Sequence, residues 1–337
     1  MSRTIVQMVL LLCVAFSVGT FSFASPAAAQ SPRPVIIDTD MALDDWLAIL
    51  YVLKDPDFEV KAITVTGTGF AYCDAGVHIA LGLVALTEYG DVPVSCGSET
   101  PLLGENAPPA EWRTNMEAAE ALGLPDGGEA SEQDAVALFS STVAESTENV
   151  TVLALGPLTN VAAALDADSS LVDKIEMVYV MGGAVDVPGS GISEANVTAE
   201  WNIYCDPHAA RLVFESGAPI TLVPLDATNE APITPEFLSM IEVNQQTPEA
   251  EFVYTALTGI AESIESGGYY FWDPLAAGVM TDPDIVTLTE RDVTVIDIPG
   301  HAEDGRTKPV GNGPEIWVAT APDASTLAQH LIDAWTS

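Results

Sequence analysis

The sequence predicts an α/β fold in which helices cover both faces of an open, mostly parallel sheet. Short apolar runs, which fit buried strands, alternate along the chain with segments of helical periodicity. Such alternation makes consecutive strands parallel, because each helix returns the chain to the same edge of the sheet. The chain has 337 residues, of which 48% are hydrophobic, and that is enough to bury the core of one large domain.

Seven apolar runs are predicted as strands, at residues 35–37, 60–66, 92–95, 150–155, 177–181, 220–224 and 293–298. Segments with helical patterns include 47–53, 74–87, 132–146, 158–165, 207–215, 235–241, 248–264, 274–280 and 324–335. At Thr234, Thr247 and Asp273 a capping side chain precedes a proline, which is a helix start signal. Residues 104–128, rich in Pro, Gly and Glu, are interpreted as an excursion over the surface of one domain that spans residues 34–337.

The first 29 residues differ from the rest of the chain. Arg3 precedes an apolar run at 9–16, and small residues follow up to Ala29. This pattern is typical of a secretory signal peptide that is cleaved after Ala29. The alternative is an uncleaved membrane anchor, but the apolar run is shorter than the roughly 20 residues that a membrane-spanning helix needs. We therefore expect a secreted or periplasmic protein that has no membrane segment after cleavage.

The net charge is strongly negative, −39 from 49 acidic and 10 basic residues. Nucleic acid and anionic membranes are not expected as partners, because their phosphates would be repelled. A highly charged surface keeps a protein soluble, and a salt-rich habitat is one reason for it.

Three cysteines remain after the predicted cleavage, namely Cys73, Cys96 and Cys205, while Cys13 lies in the leader. Their spacing gives neither a disulfide framework nor a C-x-x-C zinc motif. We interpret them as small buried residues. The alternative is that one pair forms a disulfide in an oxidising compartment.

Four aspartates lie within eight residues at the end of the first predicted strand, namely Asp38, Asp40, Asp44 and Asp45. Like charges this close repel one another, and near an apolar core they need a cation or strong donors to neutralise them. Asp38 and Asp40 share one face if the chain is still extended there, while Asp44 and Asp45 open the next helix. Strand-to-helix turns are where open parallel sheets bind ligands. We therefore predict a metal site, and oxygen-only ligands favour Ca²⁺ or Mg²⁺.

Five further segments follow in order, namely LGPLTN at 155–160, VMGGA at 180–184, AEWNIYCDP at 199–207, VPLDAT at 223–228 and WDPLA at 272–276. Together with DTDxxxDD at 38–45, they resemble the inosine-uridine preferring nucleoside hydrolase family from Val35 to the C-terminal helix. The resemblance implies the Rossmann-like nucleoside hydrolase fold and a Ca²⁺-dependent N-ribohydrolase, usually a homodimer or homotetramer. Such an enzyme splits a nucleoside substrate into ribose and free base by attack of a calcium-bound water.

The resemblance also implies a role for each matching residue. Asp40, Asp45 and Asp273 match the calcium carboxylates, and Thr159 matches a ligand through its backbone carbonyl. Asp40 also matches the general base, and Asp38 matches an acid beside the metal. The matching substrate-binding positions are Asp44, Glu200, Asn202, Asn196, Trp201, Met181 and Trp272. The chemistry agrees, because ribosyl transfer to water passes through an oxocarbenium-like cation that carboxylates stabilise.

Three positions depart from the family pattern. Trp272 stands where many members have a histidine that protonates the departing base, and tryptophan can stack on a base but cannot act as an acid. The four histidines lie outside the matching motifs, so leaving-group activation is expected from solvent, from Tyr269 or Tyr270, or from aromatic stacking. Gly69 replaces an asparagine that reaches the ribose in many relatives, and Asn196 matches only with a two-residue deletion.

Simpler roles compete with several of these assignments. Asp44, Asp45 and Asp273 can serve as helix caps without any metal. Glu200 and Asn202 are predicted to alternate along an extended segment, so that both face the ligand. The alternative function is a nucleoside- or ribose-binding protein with reduced or lost catalysis. A phosphatase of the haloacid dehalogenase type would use the D-x-D start but leaves the segments at 200–202 and 273 without a role.

Overall fold

Nine strands of the described chain form one sheet at the centre of the protein, which we analysed as a computed structural model. The structure describes residues 31–118 and 123–337, so the predicted leader at 1–29 and Cys13 lie outside the described residues. Pro32–Ser337 forms one compact unit. No helix of the described residues is both long enough and apolar enough to cross a membrane.

The strands are β1 Arg33–Thr39, β2 Phe58–Val65, β3 Val94–Cys96, β4 Val150–Ala154, β5 Ile175–Met181, β6 Ile220–Val223, β7 Thr287–Val295, β8 Thr307–Pro309 and β9 Glu315–Thr320. Their order across the sheet is β3-β2-β1-β4-β5-β6-β9-β7-β8. The first seven strands in this order, from β3 across to β9, all pair in parallel. β7 runs antiparallel to both β9 and β8. The predicted open and mostly parallel α/β sheet is confirmed.

The antiparallel edge was only partly predicted. The sequence gives one strand at 293–298, but β7 begins six residues earlier and pairs along its first half with β9. β8 and β9 were missed. β8, the edge strand, has only three residues. β9 lies between β6 and β7, and exposed and buried side chains alternate along its first half. Continuous apolar runs therefore identify the buried central strands and underestimate this edge.

The helices are α1 Leu43–Lys54, α2 Cys73–Leu86, α3 Ala110–Ala118, α4 Ala135–Glu145, α5 Thr159–Ala167, α6 Trp201–Cys205, α7 Pro207–Glu215, α8 Leu225–Thr228, α9 Pro235–Glu242, α10 Pro248–Thr258, α11 Ala261–Glu265, α12 Trp272–Thr281 and α13 Ala324–Thr336. Short 3-10 helices lie at Ser169–Lys174 and Pro283–Ile285. The predicted helix at 248–264 is interrupted between α10 and α11. The excursion at 104–128 contains a helix, α3, that the sequence did not predict.

Two hydrophobic cores lie on opposite faces of the sheet. Val35 and Ile37 of β1 point into the core that α1, α2, α9, α10, α12 and α13 cover, and Ile36 points into the core that α4, α5 and α7 cover. This alternation is the period-two pattern of a strand that is buried on both faces. The wrapping of both faces leaves the ends of the strands as the place where a ligand can reach the sheet.

A disulfide joins Cys73 at the start of α2 to Cys96 at the end of β3. The interpretation of these two cysteines as small buried residues is therefore wrong, because parallel pairing of β2 and β3 brings their Cα atoms to 5.5 Å across 23 residues of sequence. Cys205 is a buried free thiol, as interpreted.

Candidate active site

The site lies where the strand order of the sheet changes direction. From β1 the chain builds outward through β2 to β3, and it then returns to add β4 on the other side of β1. The loops after β1 and β4 therefore diverge and leave a crevice at the carboxyl ends of these strands. A cavity of about 410 Å³ opens there.

Four aspartates from three elements line this cavity. Asp40 follows β1, Asp44 and Asp45 lie in the first turn of α1, and Asp273 lies in the first turn of α12. All four are at least nine-tenths buried. The structure thus brings Asp273 to the acids of the DTDxxxDD segment, which lies more than 200 residues earlier in the sequence.

The Asp40 carboxylate is fixed by backbone on two sides. Its Oδ2 accepts a hydrogen bond from the Phe70 amide at 2.9 Å. A Cβ at Gly69 would overlap this carboxylate, and a Cβ at Gly156 would lie 2.8 Å from the Cβ and the amide nitrogen of Asp40. Both positions therefore need glycine for the close approach. Gly69, which departs from the family pattern, has a steric role here.

Met41, the next residue, adopts a left-handed conformation with φ of 63° although it has a side chain. Its amide donates to the Thr39 hydroxyl at 3.1 Å, and its carbonyl accepts from the Trp46 indole at 3.0 Å. These contacts hold a conformation that is unfavourable for a non-glycine residue. The turn aims Asp40 at the cavity while α1 begins directly after it.

The carboxylates of Asp44, Asp45 and Asp273 each place an oxygen within 4.8 Å of the others. Asp45 Oδ1 accepts from the Thr39 hydroxyl and from the Asp40 amide, and Tyr269 donates to Asp44 Oδ1 at 3.3 Å. Asp45 Oδ2 and Asp273 Oδ1 are buried without a hydrogen-bond partner among the described residues. Unpartnered buried oxygens are costly unless a cation binds them. The donor set is all oxygen, so these residues fit a hard cation such as Ca²⁺.

Burial raises the pKa of every acid in this cluster. It raises the pKa of Asp44 to about 7, with the charge of Asp45 as the second cause. Burial and the charge of Asp45 likewise raise the pKa values of Asp40 and Asp273 well above the usual range. Four neighbouring anions without a cation are therefore unfavourable, which agrees with a metal site.

Helix capping does not explain the acids. The residue that caps α1 is Ala42, which has no capping side chain, and Asp44 and Asp45 lie inside the helix. α12 begins two residues earlier than predicted, so Phe271 occupies its cap position and Asp273 lies in its first turn. The simpler reading of these three aspartates as caps is wrong.

Asp38 lies behind the cavity rather than in it. Its Oδ1 accepts hydrogen bonds from the Thr64 hydroxyl at 2.6 Å and from the Asn160 amide group at 2.8 Å. Burial raises the pKa of Asp38 to about 7 despite these bonds. Asn160 also donates to the Val65 carbonyl at 3.0 Å. Asp38 therefore ties β1, β2 and α5 together beneath the acids that line the cavity.

The structure favours Leu155 over Thr159 as the source of a backbone ligand. Thr159 is buried at the start of α5, and its hydroxyl donates to Asp206 Oδ2 at 2.9 Å, away from the residues that line the cavity. Leu155 follows β4 and lines the cavity, and its carbonyl accepts from Asn202 at 2.8 Å. Thr159 therefore does not line the cavity, whereas Leu155, four residues earlier in the same motif, does.

Glu200 and Asn202 both line the cavity, but not from an extended segment as predicted. Glu200 caps α6, which begins at Trp201. Its carboxylate accepts hydrogen bonds from the amides of Asn202, Gly183 and Ile203 at 2.8, 2.9 and 3.2 Å. Burial raises the pKa of Glu200, and these amides act in the opposite direction. Asn202 donates to the carbonyls of Leu155 and Met181 at 2.8 and 3.3 Å, which fixes its side chain.

Asn196 does not belong to the site. Its side-chain amide group donates to the Asp304 carbonyl at 2.8 Å, and its Oδ1 accepts from the amides of Thr198 and Ala199. All of its polar atoms are therefore used to fold the loop before α6. The structure does not support the predicted ribose contact at Asn196, because this side chain binds its own loop and the Asp304 carbonyl and does not line the cavity.

Aromatic and apolar side chains form the rest of the wall. The predicted residues Met181, Trp201 and Trp272 all line the cavity. Phe70 and Trp112 also line the cavity and were not predicted. Their rings stack with centroids 4.9 Å apart, and Trp112 meets Trp201 edge-on at 4.8 Å. Little in the sequence pointed to Trp112 here, because it lies in the polar, proline-rich excursion.

Histidine is absent from the described residues that line the cavity. Tyr269 lines it, packed edge-on against Trp272 with ring centroids 4.9 Å apart, whereas Tyr270 contacts Trp272 from outside the cavity wall. An indole ring, that of Trp272, therefore stands beside Asp273 in place of an imidazole.

Comparisons with known proteins agree with this geometry. The family model described as "Inosine-uridine preferring nucleoside hydrolase" matches residues 35–329. The chain is 31% identical to "Uridine nucleosidase 1" of Arabidopsis thaliana, and the match covers 86% of each chain. It is 30% identical to "Pyrimidine-specific ribonucleoside hydrolase RihA" of Escherichia coli O127:H6, covering 89% of this chain and 97% of that one. The solved structure "Plant nucleoside hydrolase - PpNRh1 enzyme" superposes with a TM-score of 0.80 at 28% identity, over 91% of this chain and 99% of that one.

Proposed function

This chain belongs to the inosine-uridine preferring nucleoside hydrolase family and is an N-ribosyl hydrolase, and from that membership we propose calcium-assisted hydrolysis of ribonucleosides. The observation that carries the proposal is the convergence of Asp40, Asp45 and Asp273 on one cavity. Two of their buried oxygens have no partner among the described residues. Pyrimidine ribonucleosides are our first expected substrates, because the two relatives above are named for uridine and pyrimidine cleavage.

Asp40, Asp45 and Asp273 would hold the calcium ion, together with the backbone carbonyl of Leu155 in place of Thr159. When bound, the ion would orient and acidify water and would accept the ribose hydroxyls as further oxygen ligands. The Asp44 carboxylate, which Tyr269 orients, lies within 4.8 Å of Asp45 and Asp273 and would accept hydrogen bonds from the ribose diol. Glu200 and Asn202, which also line the cavity, would contact the sugar.

Asp40 would act as general base. Water attacks the anomeric carbon, a new C–O bond forms, and the N-glycosidic bond breaks with its electron pair moving onto the base nitrogen. Asp40 accepts the proton that the water loses. The surrounding carboxylates stabilise the positive charge that develops on the sugar ring. The departing base gains a proton, and because Trp272 cannot supply it, we propose solvent as the source, with stacking on Trp272 orienting the base.

We further propose that the chain is exported. The leader-like residues 1–29 support this. The Cys73–Cys96 disulfide supports it independently, because disulfides persist in oxidising compartments. Sequencing the N-terminus of protein recovered from outside the cytoplasm would test it, and an intact Met1 on the active protein would contradict cleavage after Ala29. We also propose a homodimer or homotetramer, which light scattering would test.

A substrate panel tests the proposed activity. Ribose release from uridine, cytidine, inosine and adenosine is measured before and after removal of divalent cations by a chelator, and again after calcium is restored. We expect release from at least one nucleoside, its loss with the chelator and its recovery with calcium. Activity that survives chelation would contradict the metal assignment. Binding of nucleosides without ribose release from any would favour the alternative of a nucleoside-binding protein.

A further inference from the structure

Arg113 is an unusual residue in this acidic chain. It lies on α3, in the segment predicted as a surface excursion, yet only 5% of it is exposed. It is the one buried lysine or arginine among the described residues. None of the ion pairs formed within residues 31–118 and 123–337 includes it. A buried cation needs other compensation, because burial removes its hydration.

Backbone carbonyls supply that compensation. Arg113 Nε donates to the Gly69 carbonyl at 2.9 Å, and Nη2 donates to the Thr68 carbonyl. The guanidinium also lies over the Tyr72 ring, 4.6 Å from its centroid. The planar fork of the side chain thus contacts a segment of five residues at three points. We call the segment 68–72 the Asp40 loop, because it surrounds that carboxylate.

The Asp40 loop binds Arg113 through its carbonyls and Asp40 through its amides. The Phe70 amide donates to Asp40 Oδ2 at 2.9 Å, and the Ala71 amide donates to the Asp40 carbonyl at 2.9 Å. Gly69 packs directly against the Asp40 carboxylate. The peptide group whose carbonyl binds Arg113 Nε is the one whose amide nitrogen belongs to Phe70. One peptide therefore links the guanidinium to the carboxylate.

The residue next to Arg113 extends the same connection to the cavity. Trp112 stacks on the Phe70 ring at a 19° interplanar angle and meets Trp201 edge-on. Phe70 therefore binds Asp40 through its backbone and α3 through its side chain. A shift of α3 would move the aromatic wall and the Asp40 carboxylate together.

We propose that Arg113 is a positioning residue for Asp40: by holding the carbonyls of Thr68 and Gly69, it keeps the Phe70 amide, and with it the Asp40 carboxylate, aimed at the metal and the attacking water. The inference rests on the proposed function for the role of Asp40. It adds that α3, which contains no metal ligand, is required for the geometry of the metal site. Residues that orient ligands in this way typically contribute about 10- to 100-fold to metal affinity or activity.

The test compares Arg113→Met, Arg113→Lys and the control Arg211→Met. Arg211 is partly exposed and pairs with Glu215 and Asp297, away from the residues that line the cavity. For each protein, kcat and KM for uridine are measured with saturating calcium, the calcium Kd is measured by calorimetry, and folding is checked by thermal melting. We expect Arg113→Met to lower kcat and weaken calcium binding by about tenfold or more each, with a smaller change in KM.

Arg113→Lys keeps a buried cation but cannot present the planar fork, so it should lie between the wild type and Arg113→Met in both kcat and calcium Kd. It also keeps the test valid if Arg113→Met does not fold. Arg211→Met should match the wild type in both. A folded Arg113→Met with unchanged kcat and unchanged calcium Kd would overturn the proposal, as would an Arg113→Lys that loses no affinity when Arg113→Met is unfolded.

The calcium measurement separates this proposal from the proposed function. If the wild type binds calcium but releases ribose from no nucleoside, the proposed function fails, and a weaker calcium Kd in Arg113→Met still supports the positioning role. If the wild type is active and Arg113→Met shows wild-type kcat and calcium Kd, the proposed function stands and the positioning role fails.

Discussion

Asp40 shows how a single side chain depends on residues that have no functional groups of their own. Its carboxylate lies between Gly69 and Gly156 and accepts a hydrogen bond from the Phe70 amide, so the surrounding backbone determines its direction. Gly69 is the more revealing of the two glycines, because the sequence suggested that a ribose contact had been lost there. In the structure the Asp40 carboxylate occupies the space that a side chain at Gly69 would need.

We predict that Gly69→Ala lowers kcat by at least about tenfold, because the new Cβ would overlap the Asp40 carboxylate and displace it from its hydrogen bond to Phe70. Steady-state kinetics with uridine would measure the loss. The control is Gly311→Ala, where an added Cβ meets nothing within 4 Å. Equal rates for Gly69→Ala and the wild type would show that the carboxylate has room to move.

Trp272 occupies the position next to the last metal aspartate and lines the cavity. If its ring stacks on the nucleobase, Trp272→Ala should raise KM by roughly two- to tenfold, the equivalent of about 0.5–1.5 kcal/mol of aromatic contact, and Trp272→Phe should restore most of the affinity. Trp317→Ala, at a partly exposed strand position away from the cavity, is the control. The same KM in Trp272→Ala as in the wild type would exclude stacking as the role of this ring.

At the scale of elements, α6 shows how one acid connects a strand to a helix. Glu200 caps α6 through the amides of Asn202 and Ile203, and it reaches across to the Gly183 amide beyond the end of β5. Three amide donors converge on one buried carboxylate, so the acceptor oxygens on both arms of the side chain are needed.

We predict that Glu200→Gln lowers the free energy of unfolding by about 1–3 kcal/mol, because the amide group would place a donor opposite backbone donors and leave a buried group unsatisfied. Denaturant titration would measure the change. Glu194→Gln, on the exposed part of the preceding loop, should have an effect close to zero. If the two variants were equally stable, the hydrogen bonds of Glu200 would contribute little to the fold.

The elements that the sequence predicted well are those with local signals. Helices α7, α9 and α10 begin at Pro207, Pro235 and Pro248 as predicted, because the cap and the proline are adjacent in sequence. The start of α6 was predicted as extended, because glutamate is not among the usual capping residues and gave no helix start signal. The position of Asp273 beside Asp45 came from the family resemblance alone, because no local pattern encodes a contact between α1 and α12.

The sequence indicated the metal cluster but not its surroundings, for a related reason. Leu155 contributes a backbone carbonyl, which any residue could supply, so its side chain gave no signal. Arg113 and Trp112 lie in a polar segment whose composition resembles a loop, and only the packing of α3 on the Asp40 loop reveals them.

At the scale of the whole molecule, the excess of acidic residues determines how the protein responds to salt. With 49 acids and 10 bases, most of the acids have no basic partner even if every base pairs with two acids, as Arg211 does. Their mutual repulsion opposes the compact state. Screening acts over a Debye length that falls from about 10 Å at 0.1 M salt to about 3 Å at 1 M salt.

We therefore predict that the melting temperature rises between 0.1 and 1 M NaCl by at least about 3 °C, the equivalent of roughly 2 kcal/mol for a chain of this size. The measurement is made in excess chelator, so that calcium binding does not contribute, and an equal rise in KCl would assign the effect to ionic strength. A neutral osmolyte at matched osmolarity controls for exclusion from the surface. Since salt bridges between exposed groups weaken with salt, a melting temperature that falls would mean that the few ion pairs outweigh the repulsion among the many unpaired acids.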